Sequence, residues 1–149
     1  YNTSGYDTVE TLHRLDGVVD IYMPDFKMWD KEHAAKYLHA RDYPQVARQA
    51  LCEMHRQVGV LRLDEHGLAK RGVLVRHLVM PEGIAGTASV AEFLANELSP
   101  DTYVNLMSQY HPAGKVNAAT FPRINRSIST SEYSEAILAT NRAGLHRYA

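Results

Sequence analysis

The chain has 149 residues, of which 45% are hydrophobic and 22% are charged, and its formal net charge is −1. These values are typical of one globular domain with an apolar core, and they give no electrostatic reason to expect binding to nucleic acid or to an anionic membrane. Apolar runs fall short of the roughly 20 residues of a membrane span, and the single Cys52 excludes an internal disulfide and indicates a reducing, cytoplasmic compartment.

A helix and a strand are predicted at the start of the chain. Asp7 and Glu10 have the spacing of a capping box, and the helix that they begin ends at Gly17. The β-branched run Val18–Met23 predicts a strand. Pro24 ends it, because proline has no amide hydrogen to donate to a sheet.

Two helical segments come next. Asp30–Ala40 is polar and predicts a short helix or turn, and Tyr43–Val58 predicts an amphipathic helix. Cys52 lies about 100° from Leu51 in the helical projection, which indicates a packing residue at the edge of the apolar face rather than a reactive thiol. That face consists of Ala47, Ala50, Leu51, Met54 and Val58.

A hairpin and a second major strand are predicted in the middle of the chain. Val60–Leu63 and Leu68–Val75 flank a turn that contains Gly67, and Gly72–Met80 reads as a strand that stops at Pro81. Alternate residues of a strand point to opposite sides of the sheet. One face carries Val73, Val75, His77 and Val79, and the other carries Leu74, Arg76, Leu78 and Met80.

Another helix and a third strand follow. Ser89 and Glu92 predict the N-terminus of the helix, and Thr102–Met107 predicts the strand. A loop of about twenty residues comes after this strand, a length that is typical of functional segments.

The last helix is predicted to begin at Ser129 and Glu132 and to end at Gly144, and Leu145–Ala149 could begin a further strand. Apolar strands that alternate with helices favour parallel pairing in an α/β fold. We expect one domain segment over residues 1–149, either as a small open sheet or as part of a larger barrel.

Polar side chains follow the ends of the predicted strands. Asp25 and Lys27 come just after Pro24, and extended backbone would point both to the same side. Asn2 and Thr3 would lie in the same layer if a strand preceded them. The carboxyl ends of parallel strands are where α/β folds bind ligands, whereas the alternative is an exposed loop ion pair.

Three further residues are candidates for a site. Arg76 lies among aliphatic residues, which favours pairing either with a structural carboxylate or with a bound anion. His77 faces the opposite side of the strand, and we expect it to be a packing histidine whose ring is hydrogen-bonded within the protein. His111 follows the third strand, with an exposed loop histidine as the alternative. The sequence has no zinc-like spacing, no G-x-S-x-G elbow and no dinucleotide fingerprint.

Four motifs occur in an order that resembles a known family. They are Asn2-Thr3-Ser4-Gly5, Pro24-Asp25-Phe26-Lys27, Val75–Pro81 with Ala85-Gly86-Thr87, and Gln109-Tyr110-His111-Pro112. In this order they resemble the later part of radical S-adenosylmethionine (SAM) proteins similar to the pyruvate formate-lyase activating enzyme. The resemblance covers essentially the whole chain.

The resemblance implies the second half of a partial, TIM-like (β/α)6 barrel with the hairpin as an insertion. In the family, a [4Fe-4S] cluster cleaves SAM to a 5′-deoxyadenosyl radical, which abstracts hydrogen from a substrate. That substrate is a glycine of a partner protein in the activating enzymes. By position, the resemblance implies SAM-binding roles for Asn2, Thr3, Asp25, Lys27, Arg76 and His111. For His111 it also implies a catalytic role.

The sequence departs from the family at two points. The family holds its cluster with three cysteines in a C-x-x-x-C-x-x-C loop, and this chain has only Cys52. We therefore expect the chain alone to be inactive, and we expect the cluster loop and the early strands in a missing N-terminal half. Glu82 stands where similar sequences commonly carry Gly, which puts a negative charge beside the proposed pocket.

The expected partners are that missing half and either a protein substrate of the glycyl-radical-enzyme type or a small molecule. A non-catalytic α/β module is the alternative interpretation. It would bind a small ligand or mediate an interaction.

Overall fold

The computed structural model describes residues 1–148, which form a five-stranded sheet covered by helices. The strands are β1 (Asn2–Thr3), β2 (Ile21–Pro24), β3 (Arg62–Leu63), β4 (Ala69–Leu78) and β5 (Tyr103–Met107). The helices are α1 (Val9–His13), α2 (Lys31–Leu38), α3 (Tyr43–Val58), α4 (Thr87–Phe93) and α5 (Thr130–Arg142). A π-helical turn over Leu94–Leu98 extends α4, and short 3₁₀ turns cover Pro81–Gly83 and Pro122–Ile124. The predicted α/β class is confirmed.

β4 is the central strand of the sheet. It pairs in parallel with β2 and with β5, and β1 pairs in parallel with β2. β3 runs antiparallel to the first part of β4, as the predicted hairpin requires. Because β1, β2, β4 and β5 run in one direction, their carboxyl ends meet at one edge of the sheet.

The main core lies between the sheet and the helices. The five residues of the predicted apolar face of α3 are all buried, and they pack in one cluster with Tyr22 of β2 and with Val73 and Val75 of β4. Burial of a side chain the size of Val, Leu or Met contributes about 2 kcal/mol to the free energy of folding. The helical periodicity of α3 therefore predicts its packing correctly.

Two predicted helix starts are wrong. α1 is capped by Thr8, whose hydroxyl accepts a hydrogen bond from the amide of Thr11. Asp7 is not the cap, because its carboxylate accepts hydrogen bonds from the hydroxyls of Tyr1 and Thr3. α4 begins at Thr87 rather than after Ser89.

Two other predictions are corrected. β2 begins at Ile21 rather than at Val18, which is 72% exposed, because the amide of Val18 continues the turn after α1 by donating to Leu15. Cys52 is exposed on α3 rather than packed at the edge of its apolar face.

The C-terminal part follows its predictions closely. α5 begins with a capping box, in which the side chains of Ser129 and Glu132 each accept from the other residue's backbone amide. Tyr148 pairs with Val104 of β5, as the predicted further strand requires, and Ala149 lies outside the described residues. Within residues 1–148, each helix is too short or too polar to serve as a membrane span.

Candidate functional site

Asp25, just past the end of β2, is the centre of a charged cluster. Its Oδ1 accepts a hydrogen bond from Nε of Arg76 at 2.7 Å, and its Oδ2 pairs with the ammonium of Lys27. Nη2 of Arg76 also donates to Oδ1 of Asn2 at 2.8 Å. The cluster therefore joins side chains from three neighbouring parallel strands at their carboxyl ends.

The charges of this cluster do not balance. The side chains of Asp25, Arg76 and Lys27 are 15%, 25% and 39% exposed, so the cluster is partly shielded from water, Asp25 most and Lys27 least. Two cations face one carboxylate, which leaves one positive charge in excess. A partly desolvated excess charge is stabilised by an anionic group that can accept its hydrogen bonds.

A cavity of about 320 Å³ opens beside the charged cluster. Asp25, Lys27 and Arg76 form its polar end, and His111 also lies on its wall. Most of the remaining wall is apolar and includes Met28, Leu38, Leu78, Met80, Met107 and Val116. An apolar cavity with a few convergent polar groups is the usual form of a small-molecule site.

The loop after β5 forms the outer wall of this cavity. The hydroxyl of Tyr110 donates to the carbonyl of Ile124 at 2.8 Å, which fastens the two ends of the loop to each other. The ring of Phe121 packs on Tyr37 of α2, with 5.9 Å between the ring centres. His111 is exposed, and its Nδ1 lies 3.3 Å from the carbonyl of Gln109.

The structure brings most of the predicted site residues together. Asn2, Asp25, Lys27 and Arg76 share one hydrogen-bonded cluster, so Arg76 does have the structural carboxylate that was one of its two expected partners. Thr3 does not lie with them. The pleat of β1 turns its hydroxyl to the other side, where it bonds Asp7 and accepts from the amide of Gly5 at 3.2 Å.

The loops after β1 and β2 approach each other closely. Gly5 has a φ of +74°, and a Cβ there would collide with the carbonyl oxygen of Asp25. Only glycine fits both constraints. The amide of Asp25 donates to the carbonyl of Thr3 at 3.0 Å, so the backbones of the two loops also bond directly.

Tyr43 is a site residue that the sequence reasoning missed. It is the first residue of α3, and its hydroxyl lies within hydrogen-bonding distance of the backbone of Ser4, Asp25 and Lys27. A tyrosine that is expected to be buried needs polar partners for its hydroxyl, and this need could have marked Tyr43 for attention. The sequence does not indicate where those partners are.

His77 lies on the opposite face of β4 and is fully bonded within the chain. Its Nδ1 is 2.7 Å from the carbonyl of Phe26, and its Nε2 is 2.9 Å from the hydroxyl of Thr87. Burial lowers the pKa of His77 to about 4, so the imidazole is neutral near pH 7. The geometry agrees with the predicted packing histidine.

The glycine-rich turn after β4 faces a different cavity. Gly83 and Gly86 line a space of about 230 Å³ between this turn and α5. The carboxylate of Glu82 pairs with Arg123, and its amide donates to Oε1 of Glu132 at 2.7 Å. Glu82 does not line the cavity beside the charged cluster, and its negative charge is paired with Arg123.

An iron–sulfur cluster does not fit the residues of this chain. Over residues 1–148, the His, Cys, Asp and Glu side chains form no group of three or more that could hold a metal ion. Cys52 is the single cysteine and lies exposed on α3, whereas a [4Fe-4S] cluster needs several thiolates.

The chain is 32% identical over 138 residues to an uncharacterized protein of Methanocaldococcus jannaschii. The match covers 92% of this chain but 36% of the relative, so the chain spans just over a third of that protein's length. No family model matches the chain, and no solved structure matches it. These comparisons assign no function to the chain.

Proposed function

We propose that the 320 Å³ cavity binds SAM, and that the chain is the C-terminal part of a radical SAM protein of the type that activates glycyl radical enzymes. The observation that carries the proposal is the excess positive charge of the Asp25, Lys27 and Arg76 cluster at the polar end of an apolar cavity. In SAM, the carboxylate is the group that matches the excess positive charge, the ammonium and sulfonium cations match the carboxylate of Asp25, and the faces of the adenine ring match the apolar wall.

The residues of the cavity suit the separate parts of this ligand. Lys27 and Arg76 would hold the carboxylate, and Asp25 would face the ammonium group. Asn2 would act through Arg76, with which it shares a hydrogen bond. The apolar wall and His111 would surround the nucleoside and exclude water from it. In radical SAM proteins, hydrogen-atom abstraction from the substrate would follow one-electron cleavage of the bound SAM by the cluster.

The partial barrel belongs to this proposal. The repeating unit of a (β/α) barrel is a strand followed by a helix, and four parallel strands with helices between them match several such units. The carboxyl ends of three of these strands carry the charged cluster. The cluster-binding cysteines would come from another segment of a longer protein, and the greater length of the archaeal relative is compatible with this. A glycyl-radical-type protein substrate and a cytoplasmic location stay predictions.

A non-catalytic α/β module that binds a small zwitterion is the second candidate. It is favoured by one observation, which is that the residues of this chain do not fit the iron–sulfur cluster. The two candidates share the cavity and differ in turnover. A longer protein that contains this chain is reconstituted with iron and sulfide and then reduced with dithionite. Release of 5′-deoxyadenosine from SAM supports the first candidate, and binding without release supports the second.

Calorimetry with SAM and with decarboxylated SAM tests the proposed ligand. We expect SAM to bind, and we expect loss of the carboxylate to weaken binding about tenfold or more, because the excess positive charge loses its partner. Lys27→Met should weaken SAM binding to a similar degree. Lys31→Met is the matched control, since Lys31 is exposed on α2 outside the cavity.

Absence of heat with SAM would reject the proposed ligand. Equal affinity for SAM and its decarboxylated form would reject the assigned role of the two cations.

A further inference from the structure

Tyr43 lies behind the charged cluster without lining the cavity. The residue is 3% exposed, and its hydroxyl accepts a hydrogen bond from the amide of Lys27 at 2.9 Å. The hydroxyl oxygen lies 2.9 Å from the carbonyl oxygen of Ser4 and 3.0 Å from that of Asp25, so its single proton can be donated to either. One hydroxyl group from α3 therefore contacts the loop after β1 and the loop after β2.

The regular sheet ends within the segment 25–27, since Asp25 still forms a parallel bridge with Arg76 whereas Lys27 lies beyond it. The amide of Asp25 donates to Thr3, and that of Phe26 donates to the carbonyl of Arg76 at 2.9 Å. The amide of Lys27 is bound by a side chain, that of Tyr43. The directions of the Asp25 and Lys27 side chains follow from the backbone of these residues, so they depend on the Tyr43 hydroxyl.

The chemistry of Tyr43 suits a permanent structural contact. Burial raises the pKa of its hydroxyl well above the ordinary value, so the group stays protonated and can donate and accept at once. Its ring packs against Tyr6, with 5.8 Å between the ring centres. Removing only the oxygen would leave the buried backbone groups of Lys27 and Asp25 short of a partner.

We propose that Tyr43 is a positioning residue for the charged cluster, and that its hydroxyl fixes the backbone from which Asp25 and Lys27 reach the cavity. Its importance for ligand binding rests on the proposed SAM site. Its effect on the segment 25–27 is a property of the free protein and stands independently of the ligand.

The test compares Tyr43→Phe with Tyr22→Phe. Tyr22 is also buried, and its hydroxyl donates to Oε1 of Gln57 at 2.6 Å, away from the cavity. Both variants lose one buried hydroxyl and keep the ring, so a loss of general stability should affect both. The first readout is hydrogen–deuterium exchange at the amides of residues 25, 26 and 27.

In Tyr43→Phe we expect all three amides to exchange about fivefold faster or more, although those of Asp25 and Phe26 bond other groups. In Tyr22→Phe their exchange should be unchanged relative to the core amides. Faster exchange at Lys27 alone would overturn the proposal, because it would mean that Tyr43 makes a local bond without holding the segment.

The second readout is calorimetry with SAM. Tyr43→Phe should weaken SAM binding about fivefold and should weaken binding of decarboxylated SAM less, because that ligand keeps only the contact of its ammonium group with Asp25, whereas Tyr22→Phe should affect neither. If the unsubstituted protein binds no SAM, the proposed function fails, and the exchange experiment still decides the role of Tyr43.

Discussion

The two faces of β4 place adjacent residues in very different surroundings. His77 points to the helical layer, is 1% exposed, and has both ring nitrogens bonded within the chain. Arg76 points to the cavity, and its side chain is 25% exposed in a cluster with an unbalanced positive charge. On the His77 face, the polar groups of the histidine are fully hydrogen-bonded within the chain. On the Arg76 face, one positive charge has no balancing negative charge.

This difference separates stability from function along a single strand. A buried polar group whose partners all belong to the chain needs no ligand, and its removal should cost folding free energy. A half-buried cluster with excess charge gains from an anion that it does not itself contain. Substitutions on the His77 face should therefore change stability, and those on the Arg76 face should change binding.

His77→Ala should have the largest effect. It removes a buried ring and leaves the carbonyl of Phe26 and the hydroxyl of Thr87 without that partner, so the free energy of unfolding should fall by about 3 kcal/mol. Urea denaturation measures this loss. A loss below about 0.5 kcal/mol would mean that the His77 face is not a closed, fully bonded layer.

Acidification should destabilise the same face. The pKa of His77 is lowered to about 4 in the folded protein from an ordinary value of 6.5, so the unfolded chain binds the extra proton between these pH values. Stability from this group is complete above about pH 6.5 and falls as the pH drops towards 4, by about 3 kcal/mol in all.

Urea denaturation between about pH 7 and about pH 4.5 measures this dependence. Glu53, whose pKa is lowered to about 2 chiefly by its hydrogen bond with Arg56, contributes its own loss below this range. His77→Gln should flatten the profile, whereas His66→Gln, on the exposed hairpin turn, should keep it. An unchanged profile in His77→Gln would contradict the assignment.

Arg76→Met should show the opposite balance of effects. Asp25 keeps Lys27 as a partner, so unfolding should cost only about 1 kcal/mol less, while SAM binding should weaken about tenfold or more. Arg71→Met is the control on the same strand, because Arg71 bonds Asp20 and the carbonyl of Gln57 outside the cavity. If Arg71→Met and Arg76→Met weakened SAM binding equally, the two faces would not differ as described.

Cys52→Ser should have the smallest effect and gives a baseline for the others. Cys52 is exposed on α3, so it has little packing to lose. Desolvation by neighbouring groups, with Glu97 nearby, raises the pKa of its thiol, so it has no nucleophilic role to lose either. We expect unfolding and SAM binding to change by less than about 0.5 kcal/mol. A larger change in either would show that α3 is more closely involved in the site than its exposed surface indicates.

Periodicity was enough to predict the elements whose burial dominates their stability. α3 has a clear apolar face, so its position was predicted closely. α5 was located by its capping box and by Gly144 rather than by periodicity. The two overlapping predicted strands, Leu68–Val75 and Gly72–Met80, form one strand, β4. β1 has two residues and therefore no period. It exists because β2 offers it a parallel partner, which the sequence of β1 does not reveal.

Capping motifs were less reliable because their side chains can bond elsewhere. The Ser129 and Glu132 pair forms the predicted capping box. The equally spaced Asp7 and Glu10 do not, because Asp7 bonds the hydroxyls of Tyr1 and Thr3. Competition of this kind depends on the tertiary structure, which spacing does not describe.

The candidate site was predictable where strand ends determine it. Asp25, Lys27 and Arg76 meet because parallel strands end at one edge of the sheet. Tyr43 was missed because its contacts join α3 to two loops that are 16 to 39 residues away in sequence.

The most direct test of the proposed SAM site is an NMR titration of the unsubstituted protein with SAM, observed at the arginine Nε–Hε groups and at the backbone amides. Our account predicts that the Arg76 resonance moves and saturates while that of Arg71, on the same strand, stays in place. It would be contradicted if Arg76 did not move, or if the only shifts arose at Gly83 and Gly86 beside the second cavity.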